Sequence, residues 1–371
     1  MANTLRQRAL LTDQQLELLP ASHPLKTAGT GESAMLRTLT GRQAEHTPVW
    51  FMRQAGRSLP EYRKVREGIA MLDSCLTPDL AAEITVQPVR RHKVDAGIFF
   101  SDIVIPMKLA GVNVDIVPGR GPVLESPINS LSDIDNLPEL EESALDVIRE
   151  AVANTIEQLG STPLIGFAGA PFTVAAYMVE GGPSRDHLKP RTMMHAEPEA
   201  WQKLAAWAAR TSGQFLKAQI EAGASAVQLF DSWAGSLGEA DYRRFVQEHS
   251  ATALSMVEDY GVPRIHFGTG TAELLPAMLE AGADVMGVDY RLPLNEADRR
   301  LGGGIVLQGN IDPALLASGS KALYAHTDEV LEAGRAAPAH VANLGHGVPP
   351  TTDPQVLTDL VDYIHSSTRK S

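Results

Sequence analysis

Eight short apolar runs set the rhythm of this chain, at 49–52, 97–100, 164–167, 226–230, 264–267, 285–288, 305–308 and 341–344. Each is nearly continuous in apolar character, as expected of a parallel strand buried on both faces. Segments of helical spacing lie between them. Thr77-Pro78 reads as a cap followed by proline at the first helical position, opening a helix towards His92. Over 198–222, Trp201, Leu204, Ala208, Phe215 and Ile220 recur at helical spacing before a terminating Gly223. The runs starting at 264, 285 and 305 follow one another at 21 and 20 residues, close to the minimum for a strand–helix crossover. Eight such units predict an α/β fold, a single closed (β/α)8 barrel of the TIM type; a doubly wound sheet is the alternative.

Two stretches break the regularity. Within 104–162, Val114 to Val117, a Pro118–Pro122 turn and Val123-Leu124 predict a hairpin inserted after the second strand, distorting the barrel. Residues 1–32 are polar and turn-rich and read as a flexible N-terminal extension, with Ser33 capping the first helix of a 33–371 barrel domain. The chain carries 32 Lys+Arg against 45 Asp+Glu, a net charge of −13, which argues against nucleic acid or an anionic membrane as partner. With Cys75 as its one cysteine, internal disulfides and multi-thiolate zinc sites are excluded. No run approaches the ~18 apolar residues of a membrane span, and the N-terminus lacks a signal-peptide core. The expectation is a soluble, cytoplasmic protein.

Barrel active sites form where the strands end, and polar residues follow nearly every run. Arg53-Gln54-Ala55-Gly56-Arg57 comes after the first, Ser101-Asp102 after the second, and Ala170-Pro171 leading to Tyr177 after the third. Asp231-Ser232-Trp233, Asp289, Gly309-Asn310 and Gly345-His346-Gly347 follow later ones. Residues 53–66 hold five basic side chains against one acidic, +4 within an acidic protein. A solvated helix face is the ordinary reading of such a run. Arg53 abuts a buried strand, however, and arginine suits bidentate capture of carboxylate or phosphate, so Arg53 and Arg57 are candidate anion ligands, with Arg66 behind them. Asp102 equally suits a cap on the next segment, Tyr177 a core position, and His346 a glycine-flanked loop without chemistry. Gly268-Thr269-Gly270 fits a phosphate cradle or a simple turn. Gly302-Gly303-Gly304 lacks the spacing of a dinucleotide fingerprint.

Longer blocks are more specific. The stretch Pro48 to Tyr62, through Arg53-Gln54-Ala55-Gly56-Arg57, resembles the first signature of the uroporphyrinogen decarboxylase family, and Gly166 to Gly182 resembles its second. Phe99–Ile103, Phe230–Gly235, Gly309–Pro313 and Asn343–Gly347 fit further blocks in order, so the resemblance spans about 34–365. It implies a cofactor-free, metal-free decarboxylase of porphyrin and haem biosynthesis, a homodimer with facing clefts. Its tetrapyrrole substrate, uroporphyrinogen III, has its four acetates converted to methyls, giving coproporphyrinogen III. By the same resemblance Asp102, Arg53, Tyr177 and His346 are catalytic, and Gln54, Ala55, Gly56, Arg57, Arg66 and Ser232 join them in binding substrate. Two rivals are weighed: a zinc-dependent cobamide or thiol methyltransferase of the same superfamily, and a tetrapyrrole-binding protein without catalysis.

Overall fold

A computed structural model describes residues 11–27 and 29–370. Seven parallel strands form one curled sheet: β1 (Gly97–Ile98), then β4 (Leu164–Gly169), β5 (Ala226–Asp231), β6 (Arg264–Gly268), β7 (Val285–Gly287), β8 (Val306–Gln308) and β9 (His340–Val341), adjacent in that order. Between β1 and β4 the antiparallel hairpin β2 (Val114–Val117) and β3 (Gly121–Leu124) pairs Val114 with Leu124 and Val117 with Gly121. It docks on the end of the helix Pro171–Glu180, where the Leu124 amide donates to the Gly181 carbonyl at 3.0 Å and that of Ile128 to Met178 at 2.9 Å.

The first apolar run departs from the expected eighth ladder strand. Val49 makes a single parallel bridge to Ala342, with the Ala342 amide donating to the Pro48 carbonyl at 2.9 Å. No ladder joins this run to β1; side chains span the gap instead. Asp95 Oδ2 accepts the Val49 N–H at 2.7 Å, and the Asp95 N–H donates back to the Val49 carbonyl at 2.8 Å. Gln54 Oε1 accepts the Phe51 N–H at 3.0 Å while its Nε2 donates to the Ala96 carbonyl, also at 3.0 Å. The physical reason is local: Gln54 captures an amide a neighbouring strand would need, and Arg53 turns into the left-handed region at φ 61°. β9 is likewise shorter than the 341–344 run, because Asn343 Oδ1 takes the amides of Met52 (3.1 Å) and Leu344 (2.8 Å). The barrel is thus closed on one side by a bridge and on the other by side chains and the Asp95–Val49 backbone bond.

Its interior alternates as strand periodicity requires. A polar chord crosses it, from Trp50 Nε1 to Gln308 Oε1 at 3.0 Å and from Gln308 Nε2 to Gln228 Oε1 at 2.9 Å. Beside it Phe167, Phe230 and Phe267 meet edge to face, with centroids 5.4 and 6.0 Å apart. Outside, the helix Pro198–Ala222 presses on β4, and Gln219 bonds both the N–H and the carbonyl of Phe167 at 2.9 Å. Gly166 permits that approach: a Cβ there would lie 2.9 Å from Gln219 Oε1.

Packing begins before Ser33. Thr12 and Gln15 form a capping box on the helix Asp13–Leu18, Leu19 is buried, and His23 Nε2 donates to the Ile220 carbonyl at 3.0 Å. Burial lowers the His23 pKa to about 4, keeping the ring neutral in this role. The parts of the expected loose extension that lie among the described residues, 11–27 and 29–32, therefore rest on the barrel wall through Leu19 and His23; residues 1–10 and 28 lie outside them. Among the described residues no helix is long and apolar enough to cross a membrane.

Candidate active site

The strand ends bring three of the expected residues, Asp102, Tyr177 and His346, within electrostatic reach of a fourth, Arg53. Arg53 leaves the first run with its side chain across Gly347, where a Cβ would come within 2.5 Å of Arg53 Cδ. That glycine is required for the arginine to lie there. Asp102 follows β1, its Oδ1 accepting the Val104 N–H at 3.0 Å. Burial pushes the Asp102 carboxyl above its ordinary range, against the pull of the Val104 amide and the Arg53 charge. Tyr177 lies one helical turn beyond Thr173, and its phenol is pushed up to about 12 by burial and then by the charge of Asp102, with Arg53 opposing. His346 is lowered by burial first, then by Arg53 and Arg291, against Asp289. At neutral pH its imidazole is therefore neutral, and Tyr177 retains its proton.

Arg53 and Arg57 are both exposed, and neither guanidinium is hydrogen-bonded or ion-paired among the described residues. They stand out against neighbours whose arginines are engaged. Arg63 donates to the Arg57 carbonyl at 2.7 Å. Arg66 donates to Tyr62 Oη at 3.1 Å, to the Ile69 carbonyl at 3.0 Å and to Met71 Sδ, so it braces its own loop. Gln54 is also drawn away from the cleft: fully buried, it closes the gap between Phe51 and Ala96. Ala55 and Gly56 continue that turn half-buried. Ser232 is exposed on the turn after β5, and its carbonyl accepts Thr269 Oγ1 at 2.5 Å, joining two rim loops.

Other features escape a reading of the sequence. Trp233 stacks on Tyr177 with centroids 3.8 Å apart and planes 20° apart, a pairing across 56 residues that no local pattern signals. The Gly268-Thr269-Gly270 turn is not an open phosphate cradle: the Gly270 N–H donates to the buried Asp289 carboxylate, which also accepts the Arg291 amide at 3.0 Å and guanidinium at 2.6 Å. The protein's own anion fills that position. Cys75 is buried with its thiol pushed well up, mainly by burial, the reverse of a thiolate metal ligand. Among the described residues, the three ligating side chains that do converge are His46, Asp95 and His365, at the N-terminal end of the barrel.

The family model of uroporphyrinogen decarboxylase (URO-D) matches residues 30–367. A uroporphyrinogen decarboxylase of Arthrobacter sp. (strain FB24) is 68% identical over 337 residues, covering 91% of this chain and 98% of that protein. One from Leifsonia xyli subsp. xyli is 57% identical over 368 residues, covering 94% and 98%. Among solved structures, a methyltransferase from Methanosarcina mazei superposes with a TM-score of 0.74 at 17% identity, covering 90% of this chain and 97% of that one; this likeness is one of barrel fold. With a family model spanning nearly the whole barrel and relatives this similar along their full length, the chain belongs to the uroporphyrinogen decarboxylase family.

Proposed function

We propose that this chain removes the four acetate carboxyls of uroporphyrinogen III as CO2, leaving methyls and yielding coproporphyrinogen III. The observation that carries the proposal is Asp102, a partly buried carboxyl just past β1, raised by burial and within the field of Arg53, whose loop also carries Arg57, both guanidinium groups exposed and unpaired among the described residues. An octacarboxylate substrate asks for local cationic groups, and the chain as a whole, at −13, does not attract one. Screening leaves little long-range field beyond ~8–10 Å, so recognition falls to oriented guanidinium groups at short range.

The chemistry needs an electron sink for the carbanion left when an acetate loses CO2. Protonating the pyrrole at the ring carbon beside the acetate supplies one: the C–COO⁻ bond breaks, its electron pair flows into the cationic ring, and CO2 departs. A second proton added to the exocyclic carbon completes the methyl, and the ring-carbon proton is lost. The net change per acetate is one proton consumed and one CO2 released. In this reading Asp102 accepts hydrogen bonds from pyrrole N–H groups and stabilises the cation as it forms. Tyr177, protonated over the whole working range, Ser232 and the neutral His346 donate to carboxylates. Arg53 and Arg57 hold carboxylate side chains, with Arg53 also adjacent to the charge centre. Gln54, Ala55, Gly56 and Arg66 support this loop from behind. We assign no cofactor or metal to the reaction. We take the working form to be a cytoplasmic homodimer, for which sedimentation at micromolar concentration is the check.

The test is an anaerobic assay with chelator-treated protein and chemically reduced uroporphyrinogen. Coproporphyrinogen and four equivalents of CO2 are expected without added cofactor. Binding without CO2 release would instead mark a tetrapyrrole carrier, and activity that appears only on adding zinc would revive metal chemistry.

A further inference from the structure

We propose that Thr173 and Asp231 are positioning residues that hold Trp233, and through Trp233 fix the phenol of Tyr177 in the cleft; the proposal rests on the reading of Tyr177 as a substrate-contacting group.

Thr173 stands in the first turn of the helix Pro171–Glu180, and Asp231 ends β5. Both are fully buried. The Thr173 hydroxyl donates to Asp231 Oδ1 at 2.8 Å and accepts the Trp233 N–H at 3.2 Å. One oxygen thus serves as donor and acceptor to two residues of a single turn, a task only a hydroxyl of this size performs. Tyr177 lies four residues further along the same helix, hence on the same face, and its ring stacks on Trp233 at 3.8 Å. The helix therefore grips Trp233 twice, at its backbone through Thr173 and at its ring through Tyr177.

His187 also packs on Trp233, centroids 4.2 Å apart and planes 31° apart. The imidazole is buried with neither nitrogen hydrogen-bonded among the described residues, and what it offers Trp233 is its face. The Tyr177 hydroxyl likewise has no hydrogen-bond partner among the described residues, so packing rather than polar bonding sets where it points. Asp231 takes its hydrogen bond at Oδ1 from Thr173; its buried Oδ2 lies 3.8 Å from His266 Nε2, too far for a hydrogen bond, and has no other partner among the described residues. Removing the Thr173 hydroxyl frees the Trp233 amide and lets the slab shift. Misplacing a catalytic group by ~1 Å costs up to about 10²-fold in rate.

The test compares Thr173→Val, of the same shape without the hydroxyl, with Thr173→Ser, which restores it. Thr173→Val is expected to lower kcat by about ten- to hundredfold with a smaller change in KM, to accumulate partly decarboxylated products, and to alter the near-ultraviolet circular dichroism of the Tyr–Trp stack. Thr173→Ser is expected to recover most of the rate. Wild-type kcat and spectrum in Thr173→Val, or a folded Thr173→Ser that stays as slow, would overturn the proposal. Should Thr173→Val not fold, Trp233→Leu must show the same kcat loss, and wild-type kcat there overturns it too. Failure of the functional reading is separately visible, since the wild type would then make no coproporphyrinogen, and the ligand-free spectrum of Thr173→Val would still decide whether the hydroxyl holds the stack.

Discussion

Replacing Asp102 with Asn is expected to slow the enzyme and stabilise the fold at once. The two side chains share a shape, and an Asn Oδ1 retains the bond from the Val104 N–H now held at 3.0 Å. What is lost is the negative charge. A preorganised charge partner for a developing cation contributes about 10²–10³-fold to kcat, so Asp102→Asn should fall by at least ~10²-fold while binding substrate nearly as well. The stability effect has the opposite sign. Burial raises the Asp102 carboxyl above its unfolded value even with Arg53 and the Val104 amide opposing, so at pH 7 the ionised group destabilises the folded state, by about 1.4 kcal/mol for each unit of elevation. Asn removes that cost. The gain in unfolding midpoint should be full above the raised pKa and shrink as pH falls towards the unfolded value near ~3.9, because the folded wild type then takes up the proton. Initial rates of coproporphyrinogen formation and thermal unfolding from pH 4 to 8 provide the measurement. A near-wild-type kcat would refute the charge role, and a midpoint that falls at pH 7 would refute the claim that burial dominates this carboxyl.

Three further outcomes are expected. Gly347→Ala places a methyl where Arg53 Cδ now lies, at 2.5 Å, and should displace that arginine, raising KM about tenfold or more, the loss of one charge-assisted contact, with little change in unfolding midpoint. Gln54→Leu leaves the Phe51 N–H and the Ala96 carbonyl without the bonds they make now, and should cost about 2–6 kcal/mol in denaturant unfolding, at roughly 1–3 kcal/mol per buried unpaired group. His46→Ala removes one of the two imidazoles on Asp95, at 2.8 and 2.7 Å, and should cost about 1 kcal/mol. The Asp95 hydrogen bond raises the His46 pKa, while burial opposes, so its contribution is complete below about pH 6.5 and is lost as pH rises through the raised value. Asp95 is displaced the other way, its histidine and amide bonds outweighing burial, and its share is lost as pH falls through the depressed value. The difference between wild type and variant should therefore peak between about pH 4 and 6.5; a gap that widened above pH 8 would contradict it.

Much of the barrel was legible because its strands are buried on both faces and so leave unbroken apolar runs. The limits lie where a side chain takes over a backbone's role. Nothing in Val49 to Met52 tells of a missing ladder; that follows from Gln54 folding back on Phe51 and from Asn343 reaching Met52 across 291 residues. Arg66 sits in the same basic run as Arg57, yet Tyr62 and Ile69 take its donors, and only tertiary geometry separates the two. The glycine turn at 268–270 was ambiguous between turn and anion cradle until Asp289 was seen bonded to the Gly270 amide. The anchoring of 11–27 depends on isolated residues, Leu19 and His23, too few to make a pattern.

The clasp between the first run and β1 has a consequence for motion. Elsewhere neighbouring strands are zipped by repeated backbone pairs, such as the five between β5 and β6, and parting them requires several bonds to break together. Beside β1, the backbone leading into Arg53 is held by the buried side chain of Gln54 and by Asp95, through its carboxylate and one backbone bond, so fewer bonds must break together for it to move. A substrate with eight carboxylates to accommodate in turn meets its arginines on a wall of the barrel held mainly by side chains, with the Asp95 N–H to Val49 carbonyl as its backbone bond, while the segment that carries Asp102 stays tied into the ladder through β4.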